Sequence, residues 1–425
     1  MSPVVPSVES RRSWIAAAAA LGVMSVAFGA PYIVVVALKD IAADLGGGAR
    51  AVPAACYALA WLGTAVGGVA MGHAAERFGL RATAIFGGAM IALGLLVASR
   101  GTPVALYLSH GVLIGMLGLG SINAPSYVYV SRWFDRHRGT ALALISSGSY
   151  VAGAIWPLLF EQAIVALGWR HTMMLAAPVE LLLVLTLAWF FLDPPPRPEL
   201  APAFAAARGR ADRRVLGLNA NLVLGLIAVA SFLCCVPMAM PQGHLIAFCS
   251  DLGIRPEIGA AMLAVLLGTG FVSRQFWGWI SDRIGGIKTV LASSACQALA
   301  MAALLMTQDE AGLFAVSAFF GFGFSGIVPA YVLAIREFFP AEEASWRVPV
   351  MMLCSGSGMA AGGWLAGVLY DHYGFYGAAF AAGLFANVLN LALVGFLAAR
   401  SWRVPGPRGR AQFPSVTGRE ISTTL

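Results

Sequence analysis

The chain has 425 residues, of which 59% are apolar and only 11% are charged, and its formal net charge is +7. An ordinary soluble chain carries about 25% charged residues, so the composition argues against a soluble enzyme, a nucleic-acid-binding protein and a disordered chain. Twelve transmembrane helices of about 20 residues would use about 240 residues, close to the apolar total. The composition therefore predicts a helical protein that crosses a lipid bilayer many times.

Apolar runs along the chain predict an all-α membrane protein with twelve transmembrane spans. In chain order, the predicted spans cover roughly residues 14–38, 51–73, 82–99, 103–131, 138–161, 171–192, 216–249, 258–280, 288–306, 311–337, 346–370 and 375–399. Span seven is unusually long and contains Pro237 and Pro241, so a kink or break is expected within it.

A segment rich in proline, alanine and arginine separates spans six and seven and is predicted to link two halves. The predicted organisation is an N-terminal tail, a six-helix bundle, a linker, a second six-helix bundle and a C-terminal tail, at residues 1–13, 14–192, 193–215, 216–400 and 401–425. This arrangement puts 21 of the 27 Lys and Arg residues on the side of the tails and linker, and five on the other side. The positive-inside rule then makes both termini cytoplasmic. The compact loops favour a bacterial inner membrane.

The two halves resemble each other at a nearly constant offset. Residues 72–79 (GHAAERFG) follow span two, and residues 278–285 (GWISDRIG) follow span eight, 206 positions later. Shorter matches occur in the same order, at offsets of 204 and 208: residues 125–127 with 329–331, and 147–149 with 355–357. Two parallel six-helix repeats around a central cavity are the architecture of carriers that work by alternating access.

These motifs carry a resemblance to a known family. The GxxxD/ERxG loops resemble the signature of the major facilitator superfamily, and the resemblance extends from Trp14 to about Arg400. Residues 133–139 (WFDRHRG), 243–253 (GHLIAFCSDLG) and 273–279 (SRQFWGW) are similar to the monocarboxylate transporters and the neighbouring oxalate/formate exchangers. The resemblance implies a twelve-helix carrier of small organic monocarboxylates, such as lactate or pyruvate, by proton symport.

Arg274 is the one basic residue that the predicted topology leaves inside the membrane. It lies two turns before Asp282, about 12 Å from the end of span eight. A charge at that depth faces a cavity or a partner, and the flanking Gly270 and Gly278 predict close helix packing on the same face. A guanidinium there is expected to bind a substrate carboxylate through two hydrogen bonds, as the matching arginine does in the resembled families. The alternatives are snorkelling or a structural ion pair.

Seven further residues are predicted to line the cavity and bind substrate. Tyr127 and Tyr331 each follow a proline by two positions in spans four and ten, where their hydroxyls would donate to a carboxylate; the alternative is aromatic packing between helices. His244 in span seven is predicted to bind substrate or carry a proton, or else to be an interior histidine with satisfied hydrogen bonds. The remaining candidates are Asn123, Phe28, Tyr32 and Ser355.

Four charged residues of the repeated loops are predicted to form gates: Glu76, Arg77, Asp282 and Arg283. Their contacts would exist in one conformation and bias the equilibrium between two states; the alternative is plain topology charge. Glu180, in the middle of span six, has no assigned role.

Other classes of function find little support in the chain. HExxH, GxSxG and phosphate-loop motifs are absent, so no enzyme is expected. The six cysteines include no CxxC pair, so no metal or cofactor is expected. The expected partners are a small carboxylate, a proton and the bilayer, with the protein a monomer. Two alternatives stay open: an organic anion exchanger or efflux carrier without proton coupling, and, more remotely, a membrane sensor.

The sequence also departs from the resembled families. Animal monocarboxylate carriers often have an acidic residue where this chain has Gly270, and a lysine where it has Tyr32. Dicarboxylate exchangers have a lysine in span eleven, and this span has none. One buried cation suits one carboxylate better than two, and no residue is identified for proton coupling.

Overall fold

A computed structural model of the chain describes residues 9–134, 137–195 and 214–403. Most of the predicted linker and most of both predicted tails lie outside the described residues. The described part is almost entirely helical, as the composition predicts, with a single two-stranded hairpin at the start of the second half.

The first bundle contains eight α-helices and one π-helical stretch among the described residues. They are α1 (Arg11–Ala27), α2 (Ala30–Val36), α3 (Leu38–Gly46), α4 (Ala51–Ala98), α5 (Pro103–Leu108), the π-helical stretch (Ser109–Leu119), α6 (Gly120–Trp133), α7 (Arg138–Ser146) and α8 (Gly148–Phe191). Here α1 and α2 form span one, α4 forms spans two and three, and α5 to α6 form span four. Spans five and six are formed by α7 and α8.

The second bundle follows a short antiparallel hairpin of β1 (Arg214–Val215) and β2 (Leu218–Asn219). Its helices are α9 (Ala220–Asp251), α10 (Pro256–Ile284), α11 (Gly286–Met306), α12 (Glu310–Phe324), α13 (Ile327–Phe338), α14 (Ala341–Tyr373) and α15 (Gly377–Arg403). α9 runs as one helix through Pro237 and Pro241, so the break predicted in span seven is absent. The turns around both prolines are buried, and neighbouring helices support such prolines in membrane helices.

Eleven helical segments among the described residues are long and apolar enough to cross a bilayer. One of them, residues 140–191, has 52 residues. Its length of about 78 Å at 1.5 Å per residue is more than twice the hydrocarbon thickness. The chain turns within it at Gly168 (φ 77°, ψ 158°), so this segment supplies two spans. The prediction of twelve transmembrane helices is confirmed.

The sequence repeat is also a repeat of backbone conformation. Gly79 ends the motif after span two with φ 79° and ψ 162°, and Gly285 ends the motif after span eight with φ 85° and ψ 164°. A residue with a Cβ rarely adopts this region, so both motifs need glycine at that position. Each motif therefore turns the chain from one span into the next in the same way.

The two bundles meet along a seam between helices of opposite halves. α4 packs against α14, α8 packs against α10, and α2 packs against α9. Since each bundle has six spans, both bundles begin and end on the same side of the membrane. We call this side the linker side and the opposite side the far side. Large apolar side chains such as Leu182, Phe190 and Phe385 are exposed on the outside, where a bilayer would cover them.

Candidate substrate-binding site

Arg274 lies in the seam between the two bundles, in the middle of α10. Ten residues separate it from Ile284, which places it about 15 Å from the linker-side end of the helix. Its side chain is 8% exposed. Nη2 donates to the hydroxyl of Tyr150 at 2.8 Å, and Nη1 donates to the hydroxyl of Ser146. Both partners belong to span five, so one arginine bridges the two bundles at mid-membrane.

Ser146 and Tyr150 are four positions apart in span five, so both hydroxyls lie on the helix face that meets Arg274. α7 ends at Ser146 and α8 begins at Gly148, with Ser147 between them in a single turn whose φ of −85° and ψ of −1° stay in the right-handed helical region. Gly148 lies against span one, where an added Cβ would be only 2.6 Å from the Cβ of Met24. The glycine therefore permits close packing of spans one and five at the turn that carries both hydroxyls.

The charge of Arg274 meets hydroxyl groups and the ring of Tyr150, with no acidic partner among the described residues. None of the ion pairs between described residues includes it. Its Nε is buried and has no hydrogen-bond partner among the described residues. Its Cζ lies 4.5 Å from the centroid of the Tyr150 ring, and Phe324 packs edge-on against that ring at 5.4 Å. A buried cation of this kind is costly unless an anion joins it.

Of the predicted cavity residues, Tyr127 lies beside this arginine, whereas no described hydrogen bond joins Asn123 or Ser355 to it. Tyr127 interacts with the hydroxyl of Ser146 and lies within electrostatic range of Arg274. Asn123 is half-buried and one turn earlier in α6, on the same face as Tyr127. Ser355 accepts a hydrogen bond from the thiol of Cys235 at 3.4 Å, and that thiol lies within electrostatic range of Tyr150.

Phe28 and Tyr32 lie on the far side of this group and line a small aromatic cavity with Tyr57 and Trp61. The hydroxyl of Tyr32 lies beside Gly153, where an added Cβ would be 2.5 Å from it. Gly153 follows Tyr150 by three residues, so the cavity begins about one helical turn from the arginine.

Two predicted substrate ligands lie elsewhere. Tyr331 is fully buried within the second bundle, where its hydroxyl donates to Asn390 at 2.6 Å. His244 is also buried there; Nε2 lies 2.8 Å from the carbonyl of Gly363, and Nδ1 lies 3.0 Å from the hydroxyl of Tyr376. Both side chains make hydrogen bonds between helices of one bundle in this conformation, and their role as substrate ligands stays a prediction. For His244 the alternative of a satisfied interior histidine matches the geometry.

The predicted gate residues make no described contact across the seam. Arg77, Asp282 and Arg283 are exposed on the linker side, and Arg283 stacks on Trp279 of its own helix at 3.4 Å. The side chain of Glu76 lies outside the described part of the structure. The hydrogen bonds and ion pairs that join described residues of the two bundles lie at Arg274 or towards the far side. A linker-side gate therefore stays a prediction.

The two glycines that flank Arg274 differ from the expectation. Gly270 is buried, and an added Cβ would contact the ring of Phe324 at 3.5 Å. Gly278 is exposed, and an added Cβ would meet nothing within 4 Å. The prediction of close packing at Gly278 is wrong, because this turn of α10 packs through Trp277 and leaves Gly278 exposed.

Sequence reasoning missed Ser146 and Tyr150. Both flank Ser147-Gly148-Ser149, which is one of the repeated motifs, so the repeat itself was the available signal. Glu180 gains no role from the structure. It is 1% exposed, and both carboxyl oxygens lack a hydrogen-bond partner among the described residues.

Comparison with known proteins identifies the family. A family model described as Major Facilitator Superfamily matches residues 16–345 and 245–421. Monocarboxylate transporter 13 of Bos taurus is 27% identical over 307 residues, which cover 72% of this chain and 70% of the relative. MFS-type transporter 1 of an Ophiocordyceps species is 24% identical over 288 residues, 66% of this chain and 61% of the relative. The agnestins efflux protein AgnL12 of Paecilomyces divaricatus is 23% identical over 336 residues, 77% of this chain and 73% of the relative.

Solved structures agree with this assignment at the level of the fold. A crystal structure of peptide transporter POT in complex with sulfate matches with a TM-score of 0.68 and 13% identity, over 91% of this chain and 95% of that chain. The twelve-helix arrangement, the repeated motifs and the family model agree, and the chain belongs to the major facilitator superfamily of membrane transporters.

Proposed function

We propose that this protein is an alternating-access secondary transporter of small organic monocarboxylates, such as lactate or pyruvate, and that Arg274 binds the carboxylate. The observation that carries the proposal is a buried mid-membrane arginine in the seam that contacts hydroxyl groups of the other bundle and has no acidic partner among the described residues. The name of the monocarboxylate transporter relative supports the same substrate class.

The chemistry of the site favours one carboxylate. A guanidinium offers a planar pair of N–H groups that matches both carboxylate oxygens. The surrounding hydroxyls of Ser146, Tyr150 and Tyr127 donate hydrogen bonds to the remaining lone pairs. With a single cation in the site, a dicarboxylate would leave its second charge unbalanced.

In the proposed cycle the anion neutralises Arg274 before the bundles rock about the site. Moving an unneutralised arginine through an occluded state would be costly, so transport is tied to occupancy. We further propose that a proton accompanies the anion and that the protein acts as a monomer. With the linker side cytoplasmic, as the Lys and Arg distribution predicts, the far side faces outward.

The test is uptake of radiolabelled L-lactate into proteoliposomes, with and without an inward proton gradient. We expect gradient-driven uptake by the wild type and its loss in Arg274→Ala, because the variant removes the one cation that the described residues place at the site. Arg274→Lys should retain partial uptake with a raised KM, since lysine keeps the charge and loses the paired N–H geometry.

Arg255→Ala is the matched control, because Arg255 is an exposed arginine that precedes the same helix on the far side. It should leave uptake unchanged. Full uptake of every carboxylate tested by folded Arg274→Ala protein would refute the proposed binding role.

Efflux or exchange without a proton is the second candidate, and the efflux name of the Paecilomyces relative favours it. Preloaded liposomes distinguish the two modes. Counterflow that persists after the pH gradient is collapsed, together with no uptake into empty liposomes under a proton gradient, would favour exchange. Symport predicts gradient-driven uptake into empty liposomes that disappears with the proton gradient.

A further inference from the structure

A charged cluster joins the two bundles at their far-side ends, away from the substrate site. Arg50 lies in the loop before α4, and its Nη1 and Nη2 donate to the two carboxylate oxygens of Asp251 at 2.6 Å each. Asp251 is the last residue of α9 in the other bundle. Paired hydrogen bonds between a guanidinium and a carboxylate are strong and require one relative orientation of the two groups.

A second carboxylate of the second bundle binds the start of α4. Asp371, near the end of α14, accepts hydrogen bonds from the backbone N–H groups of Arg50 at 2.7 Å and Ala51 at 2.8 Å. Arg50 occupies the N-cap position, and its own side chain makes no capping hydrogen bond. The first turn of span two is therefore capped by a residue from the opposite bundle. A carboxylate suits this position, because the N-terminus of a helix favours negative charge.

The side chain of Arg50 is enclosed by the second bundle and is only 6% exposed. Its Cζ lies 3.6 Å from the centroid of the Tyr370 ring and 5.1 Å from that of Tyr376, so it stacks on aromatic faces of the second bundle. Lys39 adds a more exposed contact, with Nζ 3.2 Å from Asp251. An ion pair between exposed, flexible side chains contributes little to stability. Arg50 is buried, stacks on an aromatic ring and makes two hydrogen bonds to one carboxylate, so its contribution is expected to be larger.

We propose that Arg50, Asp251 and Asp371 form a far-side lock, which holds the outer ends of the bundles together in this conformation and must open in each transport cycle. The partners belong to different bundles, so the lock cannot persist when the bundles separate on the far side. The lock lies at the opposite end of the spans from the gate residues that the repeated loops predict. It sets the ratio of far-side-closed to far-side-open molecules.

The test measures the far-side separation directly. Nitroxide labels are attached to Arg100→Cys and Gln308→Cys, which are exposed far-side positions of the first and second bundles, and their distance distribution is recorded by pulsed electron paramagnetic resonance. Wild-type protein without the introduced cysteines gives the background labelling of the six native cysteines, which are buried or half-buried.

In the otherwise unchanged protein we expect mainly the short, far-side-closed distance. Asp251→Asn and Asp371→Ala should each raise the ratio of far-side-open to closed molecules roughly tenfold, because each removes contacts made only in the closed state. The exchanged pair Arg50→Asp/Asp251→Arg should restore part of the closed population.

Asp44→Asn is the matched control. Asp44 is also a far-side carboxylate, but it binds Arg170 and Trp169 within its own bundle, so its removal should not shift the distribution. Arg50→Lys keeps the charge and loses the paired hydrogen bonds, and should shift the ratio less in the same direction. If size-exclusion chromatography shows that Asp251→Asn and Asp371→Ala do not fold, Arg50→Lys still tests the proposal.

Distance distributions identical to wild type in every folded lock variant would overturn the proposal and leave the cluster as a static contact. A shift in Asp44→Asn as large as in Asp251→Asn would also overturn it, since loss of any far-side charge would then suffice. The measurement needs no substrate, so its failure is distinguishable from a failure of the carboxylate proposal.

Discussion

Tyr150 contacts the guanidinium of Arg274 through its hydroxyl, and the guanidinium also lies over its ring. Tyr150 and Arg274 belong to opposite bundles. The contact puts a hydroxyl that can donate a hydrogen bond beside the position that a bound carboxylate would occupy. At the scale of single residues, Tyr150 is therefore the side chain whose hydroxyl should most directly affect affinity for the anion.

We expect Tyr150→Phe to raise the KM for a transported carboxylate roughly tenfold, because hydrogen bonds to charged groups contribute about 1.5–3 kcal/mol. The maximal rate should change less, since the ring and its packing against Phe324 remain. Initial-rate uptake over a range of concentrations gives both quantities. Tyr107→Phe is the control, because Tyr107 lines a separate apolar groove with residues of α4 and α14; equal KM changes in both variants would contradict the role of Tyr150.

At the scale of elements, the glycine that ends each repeated motif determines how one span turns into the next. Gly285 has φ 85° and ψ 164°, and an added Cβ would lie 3.3 Å from a carboxyl oxygen of Glu337. Glu337 accepts a hydrogen bond from the N–H of Gly286 at 3.0 Å, so the same turn also supports the start of α11. Gly278, at the other end of the motif, is helical and exposed.

We expect Gly285→Ala to destabilise the protein by about 1–3 kcal/mol, because alanine is strained in that backbone conformation. Gly278→Ala should be neutral or stabilising by about 0.5–1 kcal/mol, since it replaces glycine inside a helix where nothing contacts the new Cβ. Thermal unfolding in detergent, followed by circular dichroism, compares the two. Equal destabilisation by both substitutions would show that packing, and not backbone conformation, determines the need for glycine in this loop.

Most of the membrane spans could be predicted from the sequence, because hydropathy and repeated motifs are properties of short segments. Hydropathy over about 20 residues predicts a span, and the 206-residue repeat predicts the turns at Gly79 and Gly285. A kink or break was expected at Pro237 and Pro241, and α9 does not break there, because the neighbouring helices, which local sequence does not describe, support that part of the helix. Helix bounds in spans five and six also differ, since α8 continues to Phe191 with a turn only at Gly168.

The site was predicted less completely, because its contacts join residues far apart in the chain. Arg274 was accessible as a lone charge within a span, but its partner Tyr150 lies 124 positions away. Arg50 and Asp251 are 201 positions apart, and each looked like an ordinary loop or end-of-helix charge. Which bundle faces meet is decided by the packing of the whole molecule, and for Tyr331 that packing gave a hydrogen bond to Asn390 within one bundle.

At the scale of the whole molecule, the two bundles are joined in this conformation by a central contact at Arg274 and a peripheral one at the far-side lock. The first is made of hydroxyls and one cation, and an anion would compete for it. The second is a fully paired set of charges that a substrate bound at mid-membrane does not touch. If both proposals hold, the central connection depends on substrate and the peripheral one sets the resting conformation.

The cap that Asp371 places on α4 makes the first turn of that helix conditional on the position of the other bundle. While the far side is closed, the amide hydrogens of Arg50 and Ala51 are bonded to a carboxylate; once it opens, they face water. We expect their deuterium exchange to slow in proportion to the closed population and to accelerate in Asp251→Asn, as followed by mass spectrometry of the peptide that contains them. Exchange that stayed constant across these variants would mean that the turn keeps its hydrogen bonds throughout the cycle. Exchange at these two amides at the start of span two would thus report how much of the protein is open on the far side, because the proposed lock protects them only while that side is closed.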